Sequence, residues 1–251
     1  PPGRWGGPRK VNPRAKLART CPCHGDAPAH PGHLLTARGQ LDDTTLAAAA
    51  ASLGSRGWFV CRLGGGSGSA LAAAAREAKV AAESGSLSFG TVGANASHQQ
   101  STRTDRICWL RELPEAPALR KTTELLRAIG SALGARAPCG LRLSGSTDAM
   151  VACYEDGAYY RPHFDCNRDA VRAGSARERV LTTILYLNQG WRPEDGGALR
   201  LLVPEEQGWR RVWPELGTLV AFRADRMLHE VQAAKARRLA LTIWHVGQVA
   251  T

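Results

Sequence analysis

Beyond about residue 140 the chain changes texture, and that change limits its fold more than any other feature. Six strand-like runs, "DAMVACY", "YYRPHFD", "RVLTTILYLN", "GALRLLVP", "GTLVAFRA" and "RRLALTIWHV", are separated by Gly, Pro and Asp turns. The upstream half reads mainly as helix. "LDDTTLAAAAASLGSRG" at 41–57 opens on Asp and Thr capping residues and stops at glycines, and "ALAAAAREAKVAAESG" at 70–85 is a second helix. A third starts at 118 and sets Leu119, Thr122, Leu125, Leu126, Ile129 and Leu133 near one face. "WFVCRL" at 58–63 and "RICWLREL" at 106–113 are added strands, and 86–104 is a loop. Helices first and strands second predict a mainly β chain of α+β type, with supporting helices packed on a closed or two-layered antiparallel sheet.

A length of 251 residues suits one domain, and the longest apolar runs, such as "LAAAAA" at 46–51, fall far short of a membrane span. The net charge of +11 is uneven: residues 1–139 carry 18 basic and 9 acidic side chains of the totals of 33 and 22. Residues 1–40 are basic and rich in Pro and Gly, which predicts a mobile arm. The domain proper is expected at 41–251, with helical support over 41–139 and a β core over 140–247. The chain starts on Pro rather than Met, which leaves room for a missing leader, and no secretory signal is evident. Seven cysteines, scattered and odd in number, do not form a disulfide framework; a reducing compartment, cytoplasm or nucleus, is expected. "CPCHGDAPAHPGH" at 21–33 offers Cys21, Cys23, His24, His30 and His33, but its spacing matches no usual zinc pattern. "GGGSGS" at 64–69 lacks the Lys and Ser/Thr of a phosphate loop and reads as a linker.

The chemistry starts at "YYRPHFD". On a strand, residues i and i+2 share a face, so His163 and Asp165 offer an imidazole and a carboxylate to one surface. His229 opens "HEVQAAKARRLALTIW", where an antiparallel barrel can return it to the first strand. Two histidines and one carboxylate leave coordination positions open for nonhaem Fe(II), although zinc hydrolases use the same set. "RRLALTIWHV" separates these readings. Arg238, Ala240, Thr242 and Trp244 share one face and Leu239, Leu241, Ile243 and His245 the other. An inward arginine needs an anion, and the far carboxylate of an iron-bound 2-oxoglutarate supplies one, with Tyr186 placed to donate to it as well. By the same alternation His245 points away from the site and is structural, and Cys153 and Cys166 are not ligands.

These motifs resemble the prolyl hydroxylase domain enzymes that modify hypoxia-inducible factor, within the Fe(II) and 2-oxoglutarate dioxygenases. The likeness runs over roughly 40–247 and is dense in "DAMVACY", "HFD", "LYLN", "GGALRL", "HEVQ" and "RRLALTIW". It implies a double-stranded β-helix core of jelly-roll, cupin-like type. His163, Asp165 and His229 match the iron ligands, Arg238 and Tyr186 the residues holding 2-oxoglutarate, and Tyr154 and Thr242 further pocket residues. In "RTDRICW", Arg103 and Asp105 match residues linked to substrate handling; Tyr160, Arg179 and Trp244 match positions at the substrate entrance. Collagen-type prolyl hydroxylases place a lysine where Arg238 stands. One departure is the connection "CNRDAVRAGSARE", longer than the family's usual one and placed at the barrel mouth.

The implied reaction consumes Fe(II), 2-oxoglutarate and O2, with ascorbate as a stimulant, and hydroxylates C4 of a proline in a protein or peptide, an activity used in oxygen sensing. A monomer is expected, with no membrane partner. Two other readings compete with it. A nucleic-acid demethylase of the same chemistry is favoured by the charge, but that charge lies mainly outside the barrel. A noncatalytic binding module on this fold would be expected to lose a ligand or the arginine, and the chain keeps them all.

Overall fold

The computed structural model describes residues 23–64, 68–91, 99–175, 177–206 and 208–250. Strands β1 (Cys23–Asp26) and β2 (His30–Leu35) precede helix α1 (Asp43–Ser55), β3 (Trp58–Gly64) and α2 (Gly68–Glu83). Then come β4 (Ser88–Phe89), β5 (Arg106–Trp109), α3 (Pro117–Gly134), β6 (Leu141–Ser146), β7 (Met150–Tyr154) and β8 (Tyr160–His163). A short helix α4 (Arg168–Arg172) leads to β9 (Glu178–Tyr186), β10 (Leu199–Val203), β11 (Gly208–Val212), β12 (Thr218–Arg223), β13 (His229–Val231) and β14 (Arg238–Val249).

The strands form two sheets. The larger runs β2-β3-β12-β9-β14-β7-β5-β4, with β6 pairing along the far half of β14; the smaller runs β1-β11-β10-β13-β8. Pairing is antiparallel except at the two edges, where β1 joins β11 and β2 joins β3 in parallel. Alternation divides the core as the sequence of β14 predicts. Leu239, Leu241 and Ile243 pack outward with Leu53, Leu126 and Ile129 of the helices, while Ala240 and Trp244 face inward with Tyr186, Leu199, Val220 and Phe222 between the sheets. This two-layered β core with helices on one outer face is the expected double-stranded β-helix.

The helices are fixed by short polar contacts. Asp42 Oδ1 accepts from the Thr45 amide at 2.8 Å and caps α1. The N-terminus of α3 is capped from a neighbour: Glu77 of α2 accepts from the amides of Ala118 (3.0 Å) and Leu119 (2.8 Å). That arrangement fixes the angle between the two helices that back the larger sheet.

Several expectations are corrected. Residues 23–35, read as part of a mobile arm, form β1 and β2 and extend one edge of each sheet; residues 1–22 lie outside the described residues. The zinc reading of 21–33 gains nothing: among the described residues no metal-capable cluster includes His30 or His33, and Cys21 lies outside them. The His30 ring instead accepts from the Gly32 amide at 3.0 Å and tilts against Phe59. The run at 106–113 stops as a strand at Trp109 and turns through a 3-10 segment over Leu110–Glu112. The long connection after Asp165 contains α4.

His245 faces outward, as read. It lies 3.1 Å from Thr183 Oγ1 and packs against Gly130 of α3, where an added Cβ would stand 2.0 Å from the imidazole. Glycine here permits the helix to approach the sheet.

Candidate active site

The smaller sheet places two histidines opposite each other. His163 ends β8, His229 begins β13, and the register pairs them directly. Asp165 follows in the bend after β8, so the extended stretch stops short of it. Even so, its carboxylate is brought between them: Oδ1 lies 3.6 Å from His163 Nε2 and Oδ2 3.6 Å from His229 Nε2. The three ligand atoms all fall within 4.8 Å of one another.

What aims these groups is the surrounding backbone and β9. His163 Nδ1 meets the Arg161 carbonyl at 2.8 Å and His229 Nδ1 the Met227 carbonyl at 3.2 Å. A carbonyl only accepts, so each Nδ1 carries the proton and each Nε2 turns a lone pair toward the centre. Tyr160 stacks on His163 at 3.6 Å, and Phe222 tilts against His229. Thr182, at the middle of β9 and fully buried, donates its hydroxyl to Asp165 Oδ2 at 2.7 Å. Burial alone would raise the Asp165 pKa, but His229, His163 and the Thr182 hydroxyl outweigh it and hold the carboxyl well below its usual range. Burial, with His163 nearby, pushes His229 down to about 4. Near neutral pH the cluster is therefore one carboxylate and a neutral His229, the forms a metal requires.

A second anchor lies deeper in the same cavity of about 740 Å³. Arg238 opens β14 and is 2% exposed. Its Nε donates to the Gly197 carbonyl at 2.8 Å, and its guanidinium lies 4.8 Å from the ring of Tyr154 and 4.9 Å from that of Tyr186. Gly197, at φ +63°, makes room for it, since a Cβ there would stand 3.0 Å from Arg238 Cδ. The Tyr186 hydroxyl is buried without a hydrogen-bond partner. Burial pushes the pKa values of Tyr154 and Tyr186 up, so both phenols remain donors. A buried guanidinium with no carboxylate partner among the described residues, beside a phenol without an acceptor, is able to receive an anion. The residues thus fit a divalent metal at His163, Asp165 and His229, and the carboxylate of a chelating oxoacid at Arg238 and Tyr186. Thr242 and Tyr154 line the same wall.

Of the expected entrance residues, Tyr160, Arg179, Trp244 and Arg103 line the cavity. Arg179 arrives there through an irregularity. β14 pairs His245 with Leu181 but Val246 with Arg179, so Val180 is passed over and both Val180 and Leu181 join the outer core. This bulge turns Arg179 inward, onto the face of Trp244 at 4.1 Å. Arg103 is buried and forked onto Asp105 at 2.7 and 2.6 Å, with its guanidinium over Tyr160. Asp105, fully buried, does not line the cavity, so the pair braces Tyr160 from behind. Sequence reasoning missed both the bond from Thr182 to Asp165 and the part played by Gly197, for which the "GG" turn before β10 was the available signal.

Comparison with known proteins places this geometry. Residues 149–246 match the 2OG-Fe(II) oxygenase superfamily. The chain is 31% identical over 163 residues to Egl nine homolog 1 of rat, covering 61% of this chain and 44% of that protein. The chain thus spans less than half the length of the curated relatives it matches at the head of that comparison. Among solved structures, a Pseudomonas putida prolyl-4-hydroxylase aligns at TM-score 0.67 and 29% identity, over 81% of this chain and 100% of that one. A Trichoplax adhaerens prolyl hydroxylase, solved with a hypoxia-inducible-factor oxygen-degradation-domain peptide, aligns at TM-score 0.68 and 28% identity, over 81% and 90%. The matched core, these relatives and this fold make the chain similar, in sequence and in architecture, to the 2OG-Fe(II) oxygenases and to prolyl hydroxylases among them.

Proposed function

We propose that the chain is a peptidyl-prolyl 4-hydroxylase that uses Fe(II), 2-oxoglutarate and O2, with oxygen sensing as its setting. The observation that carries this reading is the meeting, in one cavity, of the His163, Asp165 and His229 cluster with the Arg238 guanidinium, which Tyr186 backs from behind the cavity wall. The prolyl hydroxylases among its relatives direct it to proline. His163, Asp165 and His229 would hold iron, which when bound would supply the oxidative decarboxylation of 2-oxoglutarate to succinate and carbon dioxide, one oxygen atom of O2 going to the substrate and the other to succinate. The chain's own residues do the rest. Arg238 and Tyr186 neutralise and orient the far carboxylate in an apolar surround, where a charge-assisted pair is strong. Leu199, Ile184 and Val231 line the cavity and keep water from the reacting centre. Tyr160, Arg179 and Trp244 contact the peptide at the mouth, and Arg103 with Asp105 hold Tyr160 in place.

No helix of the described residues is long and apolar enough to cross a membrane. The described cysteines Cys61, Cys108, Cys139, Cys153 and Cys166 are all free thiols, which supports cytoplasm or nucleus as the compartment. We also read the enzyme as a monomer, with β1 and β2 joined to the catalytic domain expected from residue 41 onward.

The test is succinate formation with Fe(II) and 2-oxoglutarate, with and without a panel of proline-containing peptides read by mass. The expected result is peptide-stimulated succinate with a matching gain of one oxygen on proline. Turnover with methylated oligonucleotides and none with any peptide would contradict the reading.

A further inference from the structure

Arginines in this protein almost always end on a carboxylate when they leave solvent. Buried Arg103 pairs with Asp105 and buried Arg223 with Asp225; half-buried Arg200 pairs with Glu230, and Arg237 with Glu83 and Glu155. Arg238 and Arg179 depart from this, and both line the main cavity. Arg238 is the floor anion site already described. Arg179 is half-buried, its guanidinium rests on Trp244 at 4.1 Å, and it makes no ion pair or side-chain hydrogen bond among the described residues. Glu178 stands next to it on the same rim and is not within ion-pair distance; Arg177, exposed, lines the rim on its other side. A planar cation held flat by an indole keeps its N–H edge free and loses little freedom on binding, which suits it to fork onto a carboxylate.

We propose that Arg179 selects a carboxylate on the peptide, so that the substrate class is a proline flanked by an acidic residue. This rests on the reading of the cavity as a peptide hydroxylase. Position limits where the acid sits. The β9 bulge takes up one of the three residues between Arg179 and Thr182, whose partners Val246 and Trp244 stand two apart on β14, so Arg179 lies roughly 7 Å along the strand from Thr182, which touches Asp165, at about 3.3 Å per residue. An extended peptide spans that distance in about two residues, and with the reach of the side chains the acidic group falls within three positions of the proline. The sequence departure at 166–178 brings Arg177 to the same rim and adds a second cation for the same charge.

The test uses the iron-loaded enzyme with 2-oxoglutarate and proline-centred peptides that differ only by Asp or Asn at one of the three positions on either side, each with a free or an amidated C-terminus. The expected result is a KM roughly tenfold to a hundredfold lower for one Asp peptide than for its Asn twin, at similar kcat. Arg179→Gln should abolish that difference and Arg179→Lys retain part of it, with 2-oxoglutarate binding to the peptide-free proteins, measured by calorimetry, as the control for an intact fold. A preference that follows the free C-terminus would support a carboxylate partner and name the chain end as its source. Equal KM values for Asp and Asn peptides, or a preference that survives in Arg179→Gln, would overturn the inference and leave prolyl hydroxylation standing. No turnover of any peptide would overturn both.

Discussion

At the scale of single residues, the site depends on groups that touch no reactant. Thr182 is the clearest case: its hydroxyl is the one protein donor to Asp165 among the described side chains, and it fixes the carboxylate between two imidazoles. Thr182→Val keeps the shape and removes the bond, so Mn(II) affinity measured by calorimetry should fall roughly tenfold, with Thr182→Ser restoring most of it. Unchanged affinity in the valine variant would show that packing alone aims Asp165. Gly197 acts on the other anchor. Gly197→Ala adds a methyl at φ +63° and 3.0 Å from Arg238 Cδ, so it should weaken 2-oxoglutarate binding several-fold while leaving metal binding intact. His163 and Arg238 were legible in the sequence because strand alternation puts them on a face, and His229 because an antiparallel barrel returns it to the first strand; Asp165 reaches the centre from the bend after β8, not by that alternation. Thr182 and Gly197 were not legible, because their partners come from strands distant in sequence.

At the scale of elements, the contact between α3 and β14 makes an unusual demand. Gly→Ala inside a helix ordinarily stabilises by about 0.5–1 kcal/mol. At Gly130 the new Cβ would meet the His245 imidazole at 2.0 Å, so Gly130→Ala should instead lower the melting temperature; a rise would mean the helix can shift freely. The same packing gives a pH dependence. Burial pushes His245 down to about 4, with Arg127 adding to the effect. The unfolded chain, with an ordinary histidine near 6.5, binds the extra proton first as pH falls. The stability this group contributes is complete above about 6.5 and is lost as pH falls toward 4. Denaturant unfolding of the metal-free protein should therefore show a decline between pH 6.5 and 4 that is smaller in His245→Gln; the part that persists belongs in part to His229, which titrates low for the same reason. The β9 bulge belongs to this scale too. Simple alternation would put Arg179 on the outer face, and nothing local in "RERVLTT" announces the skipped residue.

At the scale of the whole molecule, the order of helices before strands was enough to anticipate helices backing a two-layered β core, because each pattern can bury its apolar face in few ways. The short strands β1, β2, β11 and β13 were harder to see. β1 and β2 are edge strands, and β11 and β13, though internal to the smaller sheet, are only five and three residues long, too short to show a hydrophobic pattern of their own. The two sheets together bring residues from β8, β9, β13 and β14 around one cavity, where the His163, Asp165 and His229 cluster and the Arg238 guanidinium are the two proposed anchors. The most direct measurement is calorimetric titration of 2-oxoglutarate into the Mn(II)-loaded and metal-free protein, repeated with His163→Ala and Arg238→Ala. Tight binding should need both anchors: it should be present in the Mn(II)-loaded native chain and fall by at least tenfold when the metal, His163 or Arg238 is removed. Equal affinity with and without metal, or in Arg238→Ala, would contradict it.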